Sequence, residues 1–92
     1  MIVRLRAFGE LERLFDGERP HLVLPDDATL GNLLDAIDER WGAQLEPAWW
    51  DRAARRFCGP VVILAGGTDV HDPATLLNDG QEVLLVPVVS GG

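Results

Sequence analysis

Lysine is absent from this chain: all eight basic residues among its 92 are arginines. A protein without side-chain amines cannot be linked into polymers through its own lysines. Two readings of the absence stand side by side: the codon bias of a GC-rich genome, or the exclusion of amines that would attack an activated carboxyl group. Cysteine is nearly absent as well. Cys58 alone cannot close an internal disulfide, and one cysteine with His21 and His71 makes no convincing structural zinc set. Cys58 therefore reads as a small buried hydrophobe, and the two histidines, in strand-edge loops, as surface residues. Positive charge is scarce. Eight basic against 15 acidic residues leave a net charge of −7, so the basic footprint that nucleic acid or an anionic membrane surface requires is missing. The same imbalance suits a basic protein partner. No apolar run approaches the ~20 residues of a membrane span, and the opening "MIVRLRAF" lacks the apolar region of a signal peptide. A cytoplasmic location is the expectation. "AGGTDV" lacks the G-x-x-x-x-G-K-[ST] spacing of a phosphate loop. No nucleophile, base and orienting group come together, so no catalytic set is expected.

What is present is a well-patterned single domain, residues 1–92. Hydrophobic residues make up 47%, enough to argue against disorder. Ile2 to Phe8 reads as a strand, with Val3, Leu5 and Ala7 on one face and Arg4 and Arg6 on the other. Leu11 to Phe15 reads as a helical turn closed by Asp16-Gly17. Pro20 to Pro25 is a short strand between prolines. The clearest helix begins at the N-cap Thr29, with Asp26 and Asp27 near its positive end. Leu30, Leu33, Leu34, Ile37 and Trp41 form its apolar stripe, and Gly42 is placed as the C′ residue. In "EPAWWDRAARRF", Pro47 predicts a second helix with Trp50, Ala54 and Phe57 on one side. Arg52, Arg55 and Arg56 form the one basic cluster, either a solvated helix face or a partner contact. Val61 to Ala65 is a strand, Gly66-Gly67 a hairpin turn, and a short strand follows near Asp69 to His71. After the turn at Asn78-Asp79-Gly80, Glu82 to about Val89 forms a last strand. Pro87 lies near its end, where the ladder frays or at an edge. That strand is apolar on both faces and so belongs at the centre of a sheet. One main helix between two groups of strands gives an α+β class.

The chain ends "LNDGQEVLLVPVVSGG". Leu77, Asp79, Gly80 and Val83 match an L-x-D-G-D-x-V turn, with Gln81 at the second acidic position. Pro87, Val89, Gly91 and Gly92 match a P-P-V-A-G-G-like tail, with Val88 and Ser90 as small departures. With the first strand and "DDATLGNLLDAI", these residues resemble the ubiquitin-like sulfur carriers: the small subunit of molybdopterin synthase (MoaD), the thiamine sulfur carrier ThiS, and their relatives. MoaD-type carriers are the nearest. The resemblance covers most of the chain and is weakest over residues 43–60. It implies a β-grasp fold: a mixed sheet of four to five strands, first and last strands paired at its centre, one main helix packed on one face, and residues 88–92 as a flexible tail.

The same resemblance implies a relay. An E1-like adenylating enzyme of MoeB or ThiF type, using its own ATP and magnesium, activates the carboxylate of Gly92. Sulfur from a persulfide donor then displaces AMP and leaves a C-terminal thiocarboxylate. The chain itself would bind no cofactor or metal. Its acceptor would be a MoaE-like large subunit in molybdopterin synthesis, or a synthase of cysteine or thiamine biosynthesis. A protein modifier attached to target lysines is the other class. Gly91 and Ser90 would thread the activating enzyme's channel, because glycine has no Cβ. If Val83 and Leu85 face the core, then Leu84, Val86 and Val88 point the other way. They would form an apolar partner surface unless Ala43–Phe57 folds across them.

Overall fold

The computed structural model describes residues 1–15, 17 and 19–88. Strand β1 (Ile2–Ala7) follows its alternation: Val3, Leu5 and Ala7 are buried, Arg4 is exposed. Gly9, at φ 57, turns the chain out of β1 into a 3-10 helix, Gly9–Phe15, that buries Leu11 and Phe15. Asp16 of the expected turn lies outside the described residues. Strand β2 (His21–Val23) then pairs antiparallel with β1.

Helix α1 (Leu30–Trp41) starts where the cap predicts. The Asn32 amide donates to Thr29 Oγ1 at 3.3 Å, and the Thr29 amide donates to Asn32 Oδ1 at 2.8 Å. This reciprocal capping box satisfies two otherwise orphaned donors. Leu30, Leu33, Leu34 and Ile37 are buried, each contributing about 1.5–3 kcal/mol over an exposed position. Trp41 is half-buried and meets Phe15 edge to face at 4.8 Å. Gly42 is not the left-handed C′ residue expected. It sits at φ −52, still right-handed, with its amide donating to the Asp38 carbonyl. Glycine is needed there for space, because a Cβ would strike both the carbonyl and the carboxylate of Asp38.

The second helix predicted from Pro47 does not form. After one turn, in which the Trp49 and Trp50 amides donate to the Glu46 carbonyl, the chain makes a two-stranded hairpin of β3 (Trp50–Asp51) and β4 (Arg56–Phe57). Asp51 Oδ1 accepts the Ala54 amide at 3.1 Å, and Arg55 takes a φ of 53. A side chain that offers the backbone a turn bond competes with the helical ladder. Trp50 and Phe57 still share a side, because they are cross-strand partners with rings 4.8 Å apart. A spacing of seven fits two helical turns and this hairpin equally.

Strand β5 (Val61–Ala65) turns through Gly66 and Gly67, both at positive φ, into β6 (Thr68–Asp69). Strand β7 (Glu82–Pro87) closes the sheet. The order is β2-β1-β7-β5-β6, with β1 and β7 parallel and the other pairs antiparallel. The first and last strands are therefore neighbours at the centre of a five-stranded mixed sheet, with α1 on one face. This is the β-grasp arrangement. Val3, Leu5, Val83, Leu85 and Ala65 meet the apolar stripe of α1 in one core. Among the described residues no helix is long and apolar enough to cross a membrane.

Candidate functional site at the end of the central strand

The turn before β7 proves to be a set of fasteners, tied to the segment before α1 through Leu77 and to β1 through Asp79 and Gly80. Leu77 is buried, and its amide donates to Ala28. The Ile2 amide donates to Asp79 Oδ1 at 2.7 Å, and the Gly80 amide donates to the Ile2 carbonyl at 2.7 Å. Gly80 has φ 77, a conformation few other residues adopt readily. Gln81, in the position often acidic, accepts the Asn78 amide on Oε1 at 2.9 Å. These residues set the register of β7 against β1, so that Leu5 faces Val83 and Ala7 faces Leu85.

That register gives β7 two faces. Val83 and Leu85 are buried in the core. Leu84 and Val86 are half-buried on the other face and belong to no part of the core. Val88, just past the strand, is 45% exposed. The register adds neighbours that sequence reading missed: Leu64 lies opposite Leu84, Val62 opposite Val86, and Arg6 beside Leu84. Arg6 in turn stacks over Phe8, its guanidinium carbon 4.7 Å from the ring centroid. The alternation of β1 was readable and Val61 to Ala65 was read as a strand, but which rows coincide depends on strand order.

The segment 43–60 is held on the helix side. Trp50 Nε1 donates to Asp38 Oδ1 at 2.9 Å. Arg52 Nε lies 3.5 Å from the same oxygen, and Arg55 reaches Asp35 at 3.4 Å and Asp38 at 3.9 Å. Two of the three clustered arginines are thus spent within the chain; their guanidinium groups stay exposed, which holds each pair to about 0–1 kcal/mol. Asp38, on α1, is the post that holds the hairpin. Arg56 is exposed, as are His21 and His71. Cys58 is only half-buried, its thiol directed at the Pro47 carbonyl at 3.3 Å. Among the described residues no three His, Cys, Asp or Glu side chains are placed to hold a metal ion.

Val88, assigned to the tail by sequence, is still tied to the sheet, its amide donating to the Pro60 carbonyl at 2.7 Å. Val89, Ser90, Gly91 and Gly92 lie outside the described residues. Their sequence is nonetheless part of a match to the ThiS family model over residues 5–92. The chain belongs to the ThiS family. Its fold is the ubiquitin-like β-grasp. No curated protein matches it in sequence. Solved structures match throughout its length. SAMP1 from Haloferax volcanii, a small archaeal modifier protein, superposes with a TM-score of 0.78 at 23% identity, covering 100% of both chains. Subunits 1 and 2 of the molybdopterin-converting factor from Helicobacter pylori form a complex, one chain of which matches with a TM-score of 0.65 at 22% identity over 100% of both chains. A chain of the Amycolatopsis orientalis BexX/CysO complex matches with a TM-score of 0.63 at 16% identity, covering 98% of this chain and 99% of that one. At these identities the superpositions establish the fold. Within the ThiS family frame, the fasteners at Asp79 and Gly80 and the two-faced β7 are what bring Val88, the last described residue, to the end of an apolar row.

Proposed function

We propose that this chain carries sulfur on its C-terminus for the synthesis of molybdopterin. An E1-like enzyme would engage the face of Leu84, Val86 and Val88 and adenylate Gly92. A carboxylate oxygen of Gly92 attacks the α-phosphorus of ATP, and pyrophosphate leaves. A carboxylate is a poor electrophile, whereas AMP is a good leaving group. A persulfide sulfur then takes the place of AMP on the glycyl carbon, and reduction of the resulting acyl disulfide by a thiol releases the thiocarboxylate. That sulfur, a soft nucleophile, passes to an acceptor held by a MoaE-like large subunit. In this scheme ATP and magnesium belong to the activating enzyme, and the folded domain supplies recognition, not catalysis.

The observation that carries the reading is the joining of the half-buried apolar face of β7 to a Ser-Gly-Gly end within one ThiS-family chain. Ordering a free tail on binding costs about 1–2 kcal/mol per residue, and burial of a surface such as this offsets it. Carriage for cysteine or thiamine synthesis uses the same steps with another acceptor. A modifier role is the second reading, favoured by the match to an archaeal modifier protein.

Intact mass spectrometry of protein from its own cells separates these. A mass increment of one oxygen replaced by sulfur, mapped to Gly92, supports the carrier. Unmodified carboxylate together with heavier lysine-linked conjugates supports the modifier and removes the carrier reading.

A further inference from the structure

Resting on that carrier reading, we propose that Pro87 is a positioning residue: seated on Gly9, it fixes where and in which direction the chain leaves the sheet toward Gly92. Three observations place it. The Phe8 amide donates to the Leu85 carbonyl at 3.0 Å, and the Val88 amide to the Pro60 carbonyl at 2.7 Å. Alternating residues of β7 therefore address β1 and β5 in turn, and residue 87 addresses the β1 side. There Gly9 has already turned away at φ 57, so a proline nitrogen forfeits no ladder bond. Second, the proline ring occupies the space beside Gly9. A Cβ at Gly9 would lie 3.1 Å from Pro87 Cγ. The ring is closed onto its own backbone, so a push there moves the strand end. Third, Pro87 is paired to Val61 on its other side, and the next amide is held by Pro60.

A residue with its φ locked by its ring, backed by a glycine and paired across the sheet is a rigid exit. On the carrier reading the reacting carboxylate is that of Gly92, four residues beyond Val88, a reach of at most about 14 Å. With so short a lever, the exit direction decides how often the carboxylate meets the α-phosphate in line. Pro87 is half-buried and lies outside the core, so a stability role alone would not require it.

The test compares full-length wild type with Pro87→Gly, Pro87→Val and Gly9→Ala. Three properties are measured for each: melting temperature, hydrogen exchange at the Val88 amide, and pyrophosphate release with the activating enzyme. For Pro87→Gly the expected results are a melting temperature within about 3 °C of wild type, Val88 exchange roughly tenfold faster, and kcat roughly tenfold lower with KM within about twofold. Pro87→Val, which keeps a preference for extended backbone, falls between glycine and proline. Gly9→Ala displaces the ring and also strains the backbone at φ 57, so it lowers kcat in the same sense together with a larger fall in melting temperature. An unchanged kcat in Pro87→Gly, a rise in KM alone, or Val88 exchange as slow as in wild type overturns the proposal. A wild-type chain that the activating enzyme does not adenylate overturns the parent reading and this role with it. That failure shows in wild type, before any variant is compared.

Discussion

The two faces of β7 are made of the same kinds of residue and meet different surroundings. Val83 and Leu85 are sealed against β1, β5 and α1. Leu84 and Val86, each one residue away, lie half-buried in a row with Val62 and Leu64. The composition of the strand does not set them apart; the single helix does, because it covers one side of the sheet. A strand that is apolar on both faces but covered on one is a central strand with an unfilled side. The contrast also explains the hairpin of β3 and β4, which is fastened to α1 and so thickens the covered side.

The largest effect expected from breaking this contrast comes from the tail. Deleting Gly92 should abolish adenylation while moving stability by no more than about 0.5 kcal/mol; pyrophosphate release and a melting curve check both, and a large fall in melting temperature would remove the idea of a free tail. Next in size, Leu85→Ala should cost about 3 kcal/mol of unfolding free energy, because it leaves a cavity in a packed core; urea titration reads it directly. On the opposite face, Leu84→Asp should lower affinity for the activating enzyme at least about tenfold at a cost to the fold of about 1 kcal/mol. Titration calorimetry and the same urea series would show whether the two faces separate into a stability face and a binding face. Unchanged affinity would end the proposal for that surface. The smallest effect concerns the covered side. Asp38→Asn should loosen the hairpin, with a stability loss of about 1 kcal/mol from the weakened bond to Trp50; the Trp50 indole proton in NMR spectra should exchange faster, and binding through Leu84 should be unaffected.

Much of this was legible in the residues. The alternation of β1, the stripe and cap of α1, the Gly66-Gly67 turn and the two-sided apolarity of β7 all report local periodicity, which side-chain geometry fixes without reference to the rest of the chain. Pro87 was legible as a strand-end residue, though its seat on Gly9 was not. Residues 47–57 were misread, since the Trp50 to Phe57 spacing suits helix and hairpin alike and the deciding bond, Asp51 to the Ala54 amide, is local but weak. Gly42 was assigned correctly as a helix-end glycine for the wrong reason: its neighbour Asp38 needs the space.

By itself, then, the sequence determined the elements outside residues 47–57, the faces of β1, α1 and β7, and a family-like pair of glycines, because these depend on spacing along one chain. Tertiary structure alone decided that Arg6, Leu84 and Leu64 stand in one row, that Asp38 holds the hairpin, and that Pro87 rests on Gly9. Each of these joins residues far apart in the chain, and only the strand order and register of the closed sheet bring them within contact distance.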